Sequence, residues 1–143
     1  MTQTTKSLTA LVIEDSKVIR QLVGQILEDE GITMIEAADG LEGLENIAKC
    51  PDLIITDLNM PRMDGIEFLI CLRSAGHCAD TPVIVVSSEN NDFRRKQAMA
   101  EGADYWLDKP FEPDLLVDLV RRALSRDGHE SDTPDKVSPA ANW

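Results

Sequence analysis

The chain has 143 residues, 43% of them hydrophobic and 28% charged, which favours one globular domain with enough interior for a core. A net charge of −12 repels phosphate backbones, so direct nucleic-acid binding is not expected. No apolar run approaches the length of a bilayer span and Met1 to Ser7 lacks a signal-peptide core, so the expected setting is the cytoplasm, with no membrane partner.

Leu8 to Ile13 reads as a first strand, ended by Glu14-Asp15. Ser16 or Asp15 can cap a helix running to about Glu30, with Val18, Ile19, Leu22, Val23, Ile26 and Leu27 on one stripe and Gly31 as its stop. Ile32 to Ala37 alternates and suits an edge strand, and Asp39-Gly40 reads as a turn. Leu41, Leu44, Ile47 and Ala48 mark a short second helix that Cys50-Pro51 ends.

Leu53 to Thr56 is apolar, β-branched and bounded by Pro51 and Pro61, as a strand buried on both faces should be. A carboxylate has no cheap place in such a strand except its end, and Asp57 stands there. A third helix, about Ile66 to Ala75, turns Ile66, Leu69, Ile70 and Leu72 to the sheet and puts Cys71 in the core. Pro82 to Val86 is another fully buried strand, ending in Ser87-Ser88. The fourth helix, about Asp92 to Glu101, has a weak apolar face of Phe93 and Met99 and should be loosely held. Ala103 to Leu107 is the last strand, followed by Lys109-Pro110. Pro113 opens the fifth helix, with Leu115, Leu116, Leu119, Val120, Ala123 and Leu124 on one stripe. From Arg126 the chain loses periodicity and reads as a disordered tail that holds no second domain.

The three cysteines, Cys50, Cys71 and Cys78, form no CxxC pair and read as reduced thiols; neither His77 nor His129 completes a metal-ligand spacing.

Strands alternating with helical crossovers require a parallel, doubly wound α/β sheet of flavodoxin-like type. The order 2-1-3-4-5 places the strands with two buried faces in the middle. Parallel topology then brings Glu14, Asp15, Asp57, Ser87 and Lys109 to one edge of the sheet. Taken singly, each has a plainer reading: a helix cap, a turn residue, a loop hydroxyl, a solvated lysine. Taken together, three carboxylates at one edge repel one another unless a cation joins them, and an oxygen-rich site suits Mg²⁺. A hydroxyl and an ammonium on the other flank offer donors to an anion. That set fits phosphoryl transfer onto Asp57.

At these residues the sequence resembles a receiver domain of a two-component response regulator, of the single-domain chemotaxis type. The resemblance rests on Glu14-Asp15, Asp57, Met60-Pro61 with Asp64-Gly65, Val86-Ser87-Ser88, Gly102-Ala103-Asp104 and Lys109-Pro110-Phe111. It covers residues 8–125, leaving tails at 1–7 and 126–143. It implies that Asp57 accepts a phosphoryl group from a histidine kinase or histidine phosphotransfer protein. It implies Mg²⁺ held by Asp15 and Asp57, by Glu14 through water and by the Asn59 carbonyl. Ser87 and Lys109 would bind phosphoryl oxygens, the Lys109–Pro110 bond would be cis, and Asn59 and Glu89 would favour a short-lived phosphorylated state. The fifth-strand aromatic that turns inward in the family is matched by Trp106; its larger indole leaves both a switching and a fixed role open. Tyr105 faces the other side of the strand and cannot stand in for it.

The implied function is a phosphorylation-controlled signalling switch, not an enzyme acting on other substrates, whose fourth helix, fifth strand and fifth helix dock a downstream protein. A relay or phosphate sink without such output is the alternative. An aspartyl-phosphate phosphatase is disfavoured, since Asn59 stands where the haloacid-dehalogenase-like proteins carry a general-acid Asp and there is no cap domain. A P-loop hydrolase is excluded by the missing glycine-rich loop.

Overall fold

The computed structural model describes residues 7–76 and 78–125. The N-terminal tail apart from Ser7, and the tail expected to be disordered from Arg126, lie outside the described residues.

The described chain alternates β1 (Leu8–Ile13), α1 (Lys17–Asp29), β2 (Ile32–Ala37), α2 (Gly40–Asn46), β3 (Leu53–Thr56), α3 (Gly65–Arg73), β4 (Val83–Ser87), α4 (Asp92–Ala100), β5 (Tyr105–Asp108) and α5 (Pro113–Ser125). A 3₁₀ turn, Ile47–Lys49, extends α2. The sheet is parallel, in the order β2-β1-β3-β4-β5. This is the doubly wound five-stranded architecture expected from the sequence. β3 and β4 are buried at every position and lie in the middle, while alternating β2 lies at the edge.

Two apolar layers sandwich the sheet. One, under α1 and α5, joins Ala10, Val12, Leu53 and Ile55 to Val23, Leu27, Leu116 and Leu119. The other, under α2, α3 and α4, joins Leu11, Ile13, Ile54 and Val85 to Phe68, Leu69, Leu72 and Trp106. Tyr105 falls in the first layer and Trp106 in the second, as alternation along a strand demands.

Several local expectations need correction. Asp39 does not form a free turn: its side chain accepts from the Glu42 N–H and caps α2. In α3 it is Phe68, not Ile70, that joins the core, and Cys71 is half-buried. Val18 and Leu22 are 74% and 43% exposed, so the buried stripe of α1 is narrower than its apolar pattern. A helix on a sheet buries only the face towards the strands, and these residues sit on its shoulders. In α4 the buried residue is Ala98, with Met99 packed beside it and Phe93 74% exposed.

Candidate functional site

β3 ends where its ladder to β1 runs out: the Asp57 N–H donates to the Ile13 carbonyl at 3.1 Å, fixing the first loop residue against the sheet. Asp57 is 7% exposed. Its Oδ1 accepts from the N–H groups of Leu58 (2.6 Å) and Asn59 (3.3 Å), and its Oδ2 from Lys109 Nζ at 2.8 Å.

Glu14, carried to the same edge by β1, is also buried. Its Oε1 accepts from Lys109 Nζ at 2.8 Å and its Oε2 from the Ser16 N–H at 3.0 Å. Lys109 therefore bridges two carboxylates from two strands. Burial raises the Glu14 carboxyl above its ordinary value, against the opposing bonds from Lys109 and Ser16; repulsion from Asp57 is the smallest contribution. Crowding of carboxylates, the cause expected from sequence, is thus secondary to desolvation. Burial pulls the Lys109 ammonium down, but its hydrogen bonds to Asp57 and Glu14 outweigh that and hold it above its ordinary value.

Carboxylate oxygens of Glu14, Asp15 and Asp57 lie within 4.8 Å of one another, with Asp15 facing solvent. One ammonium against three carboxylates leaves room for further positive charge. The donor set, all hard oxygen with one open flank, fits Mg²⁺.

Ser87 ends β4 fully buried; its Oγ accepts from the Glu89 N–H at 3.1 Å, and its carbonyl accepts from the Lys109 N–H at 3.0 Å. The Lys109–Pro110 peptide is cis. The Asn59 side chain donates to Glu89 Oε1 at 3.3 Å.

Trp106 is fully buried, with its Nε1 donating to Asp108 Oδ1 at 2.8 Å and the Arg95 guanidinium 5.2 Å from the ring centroid. Asp108 pairs in register with Ser87. The indole is thus coupled through one residue to the end of β4.

Sequence reasoning missed Arg94. From α4 its Nε donates to Glu89 Oε1 (3.0 Å), and its Nη2 reaches Asn59 Oδ1 (3.3 Å) and Asp64 Oδ2 (3.7 Å). It ties α4 to the loops after β3 and β4. In the run Arg94-Arg95-Lys96 no signal sets it apart from its neighbours. Arg73 was missed too; it donates to the carbonyls of Ala79 (2.7 Å) and Thr81 (2.8 Å) and to Asp104 (3.2 Å).

Gly65 starts α3 directly beneath the loop that follows β3, and its N–H donates to the Leu58 carbonyl at 2.8 Å. A Cβ there would meet the Asp57 carbonyl oxygen and would come within 2.8 Å of Leu58 Cα, both backbone atoms that cannot swing aside. Gly65→Ala is therefore expected to destabilise the protein by about 2 kcal/mol. Urea unfolding of the variant checks this.

Residues 10–121 match the family described as the response regulator receiver domain, and the chain belongs to that family. It is 34% identical over 122 residues to the protein PilG of Pseudomonas aeruginosa, covering 85% of this chain and 90% of that one. It is 35% identical over 124 residues to the sensor histidine kinase CheAY of Helicobacter pylori; that match takes in 85% of this chain but spans only 15% of the kinase. Among solved structures, the Vibrio cholerae chemotaxis protein CheY4 superposes with a TM-score of 0.78 at 37% identity, covering 83% of this chain and all of that one. The chain is thus a chemotaxis-like response regulator receiver domain with an acidic cluster that could hold a metal. No helix among the described residues is long and apolar enough to cross a membrane.

Proposed function

We infer that the receiver domain, over residues 8–125, is a phosphorylation-driven switch working in the cytoplasm. In this reading a histidine kinase or histidine phosphotransfer protein donates the phosphoryl group to Asp57. The observation that carries it is Lys109 held at 2.8 Å from both Glu14 and Asp57, beside the exposed carboxylate of Asp15. An ammonium parked between carboxylates can be drawn to an incoming anion.

The Asp57 carboxylate forms the new P–O bond as the donor's P–N bond breaks. Lys109 leaves Glu14 and pairs with a phosphoryl oxygen, while the Ser87 hydroxyl donates to another. Asp15, Asp57, Glu14 and the Asn59 carbonyl would hold Mg²⁺, which supplies charge neutralisation for the transferring oxygens. Movement of Ser87 and Lys109 pulls on the end of β4 and on Asp108, and so reaches Trp106. The output would be docking of a downstream protein on the α4–β5–α5 face, where Phe93 is exposed.

The test is phosphoryl uptake from acetyl phosphate with Mg²⁺ and with a chelator. Uptake in Mg²⁺ alone supports the reading, and equal uptake under both conditions would count against it.

Cation binding should also depend on pH. A carboxyl with a raised folded pKa contributes stability that is fully present below its ordinary value of 4.5 and lost as pH rises through the folded value. At neutral pH the ionised Glu14 is thus a cost that a cation offsets. Millimolar Mg²⁺ is expected to raise Tm by several degrees at pH 7.5, an effect fading as acidification protonates Glu14. Thermal scans at several pH values check this.

A further inference from the structure

At the edge of the sheet opposite Asp57, two loops bring a pair of thiols together. Cys50 ends the 3₁₀ turn ahead of β3, and Cys78 lies in the loop ahead of β4. The Cys78 S–H donates to Cys50 Sγ across 2.7 Å, although the residues are 28 apart in sequence. A disulfide bond is about 2.0 Å long, and sulfurs in ordinary van der Waals contact stand farther apart than this pair, so the two are already closer than packing alone would bring them.

Both residues have left-handed backbones, with φ of 49° and 63°, a conformation that side-chain-bearing residues seldom adopt. The supports on either side are fixed. Arg73 clamps the carbonyls of Ala79 and Thr81 behind Cys78, and the Ile47 carbonyl takes a second contact from Cys78 Sγ at 3.5 Å. The Asp52 N–H, just beyond Cys50, donates to the Thr9 carbonyl of β1 at 2.9 Å.

The two sulfurs differ in access. Cys50 is exposed and Cys78 half-buried. Desolvation, with the Cys50 contact second, pushes the Cys78 thiol up to about 11, so at neutral pH it keeps its proton and donates to Cys50. Cys50 is the sulfur an oxidant in solution meets first.

We propose that Cys50 and Cys78 form a reversible intramolecular disulfide in the presence of a hydroperoxide. The Cys50 sulfur attacks the distal peroxide oxygen, breaking the O–O bond, giving Cys50–SOH and releasing an alcohol, or water from hydrogen peroxide. The Cys78 sulfur then attacks the sulfenic sulfur; hydroxide leaves and takes up the Cys78 proton as water. In all, two thiols and one hydroperoxide give one disulfide, one alcohol and one water. The crosslink joins the segments flanking β3 and α3 from the edge remote from Asp57, so it stiffens the scaffold without touching the acidic cluster.

The experiment uses the full chain, hydrogen peroxide and maleimide alkylation after denaturation. The expected result is a fall from three alkylated cysteines to one, leaving Cys71, with a Cys50–Cys78 linked peptide. Tm should rise on the order of 10 °C and fall back with dithiothreitol. Cys78→Ser should stop at a Cys50 sulfenic acid trapped by dimedone, and Cys50→Ser should form no intramolecular link. Three thiols still reactive after peroxide would overturn the proposal. So would linkage through Cys71, dimers between chains, or Cys50 passing to the sulfinic acid with no bridge.

Discussion

Lys109→Met is expected to destabilise the metal-free protein by about 3 kcal/mol and to regain much of that loss when Mg²⁺ is added. The side chains of Glu14 and Asp57 are 5% and 8% exposed, and Lys109 holds both at 2.8 Å. Removing one partner from a buried ionic set leaves the others facing each other without a counter-charge, which costs about 3–5 kcal/mol in well-buried cases. The lysine here is 17% exposed, so the lower end applies. Methionine keeps the length of the stem, so lost packing contributes little. Mg²⁺ should therefore stabilise the variant more than the wild type, because only the variant lacks the competing ammonium. Urea unfolding of both proteins with and without Mg²⁺ measures the difference. An unchanged stability in Lys109→Met would mean that the bridge is solvated and balances no charge.

The second large effect is expected at Trp106, the largest fully buried side chain among the described residues. Trp106→Ala should cost about 3–5 kcal/mol, since the space beneath β5 cannot collapse onto a sheet on one side and Ala98 on the other. Trp106→Phe keeps a ring but loses the Nε1 bond to Asp108, for about 1–2 kcal/mol. Phe93→Ala, on the exposed face of α4, should change stability by less than about 0.5 kcal/mol. A small effect at Trp106 would show that the indole lies outside the core in solution and is free to rotate. A large one would place the indole inside the core of the unmodified protein, held there by its bond to Asp108.

The strands were legible because burial on both faces leaves a continuous apolar, β-branched run, as at Leu53 to Thr56 and Val83 to Val86. The acidic cluster was legible for a topological reason: parallel strands must deliver Glu14, Asp15 and Asp57 to one edge. Helix faces were less so. An apolar stripe such as Val18 to Leu27 does not reveal how much of it a sheet will cover, and Ile70 and Phe68 lie two residues apart on α3 with opposite fates. Contacts made through space by residues of ordinary type left no trace in the sequence. Arg94, Arg73 and the Cys50–Cys78 pair belong to that class, each meeting its partner only once the loops are folded.

The most direct test of the account is intact mass after incubation with acetyl phosphate and Mg²⁺, for the wild type and Asp57→Asn. The wild type should gain one phosphoryl group and the variant none, because the amide replaces the nucleophilic carboxylate with a neutral group while preserving the shape beside Leu58 and Lys109. Equal modification of both proteins would place the acceptor elsewhere and contradict the role assigned to Asp57.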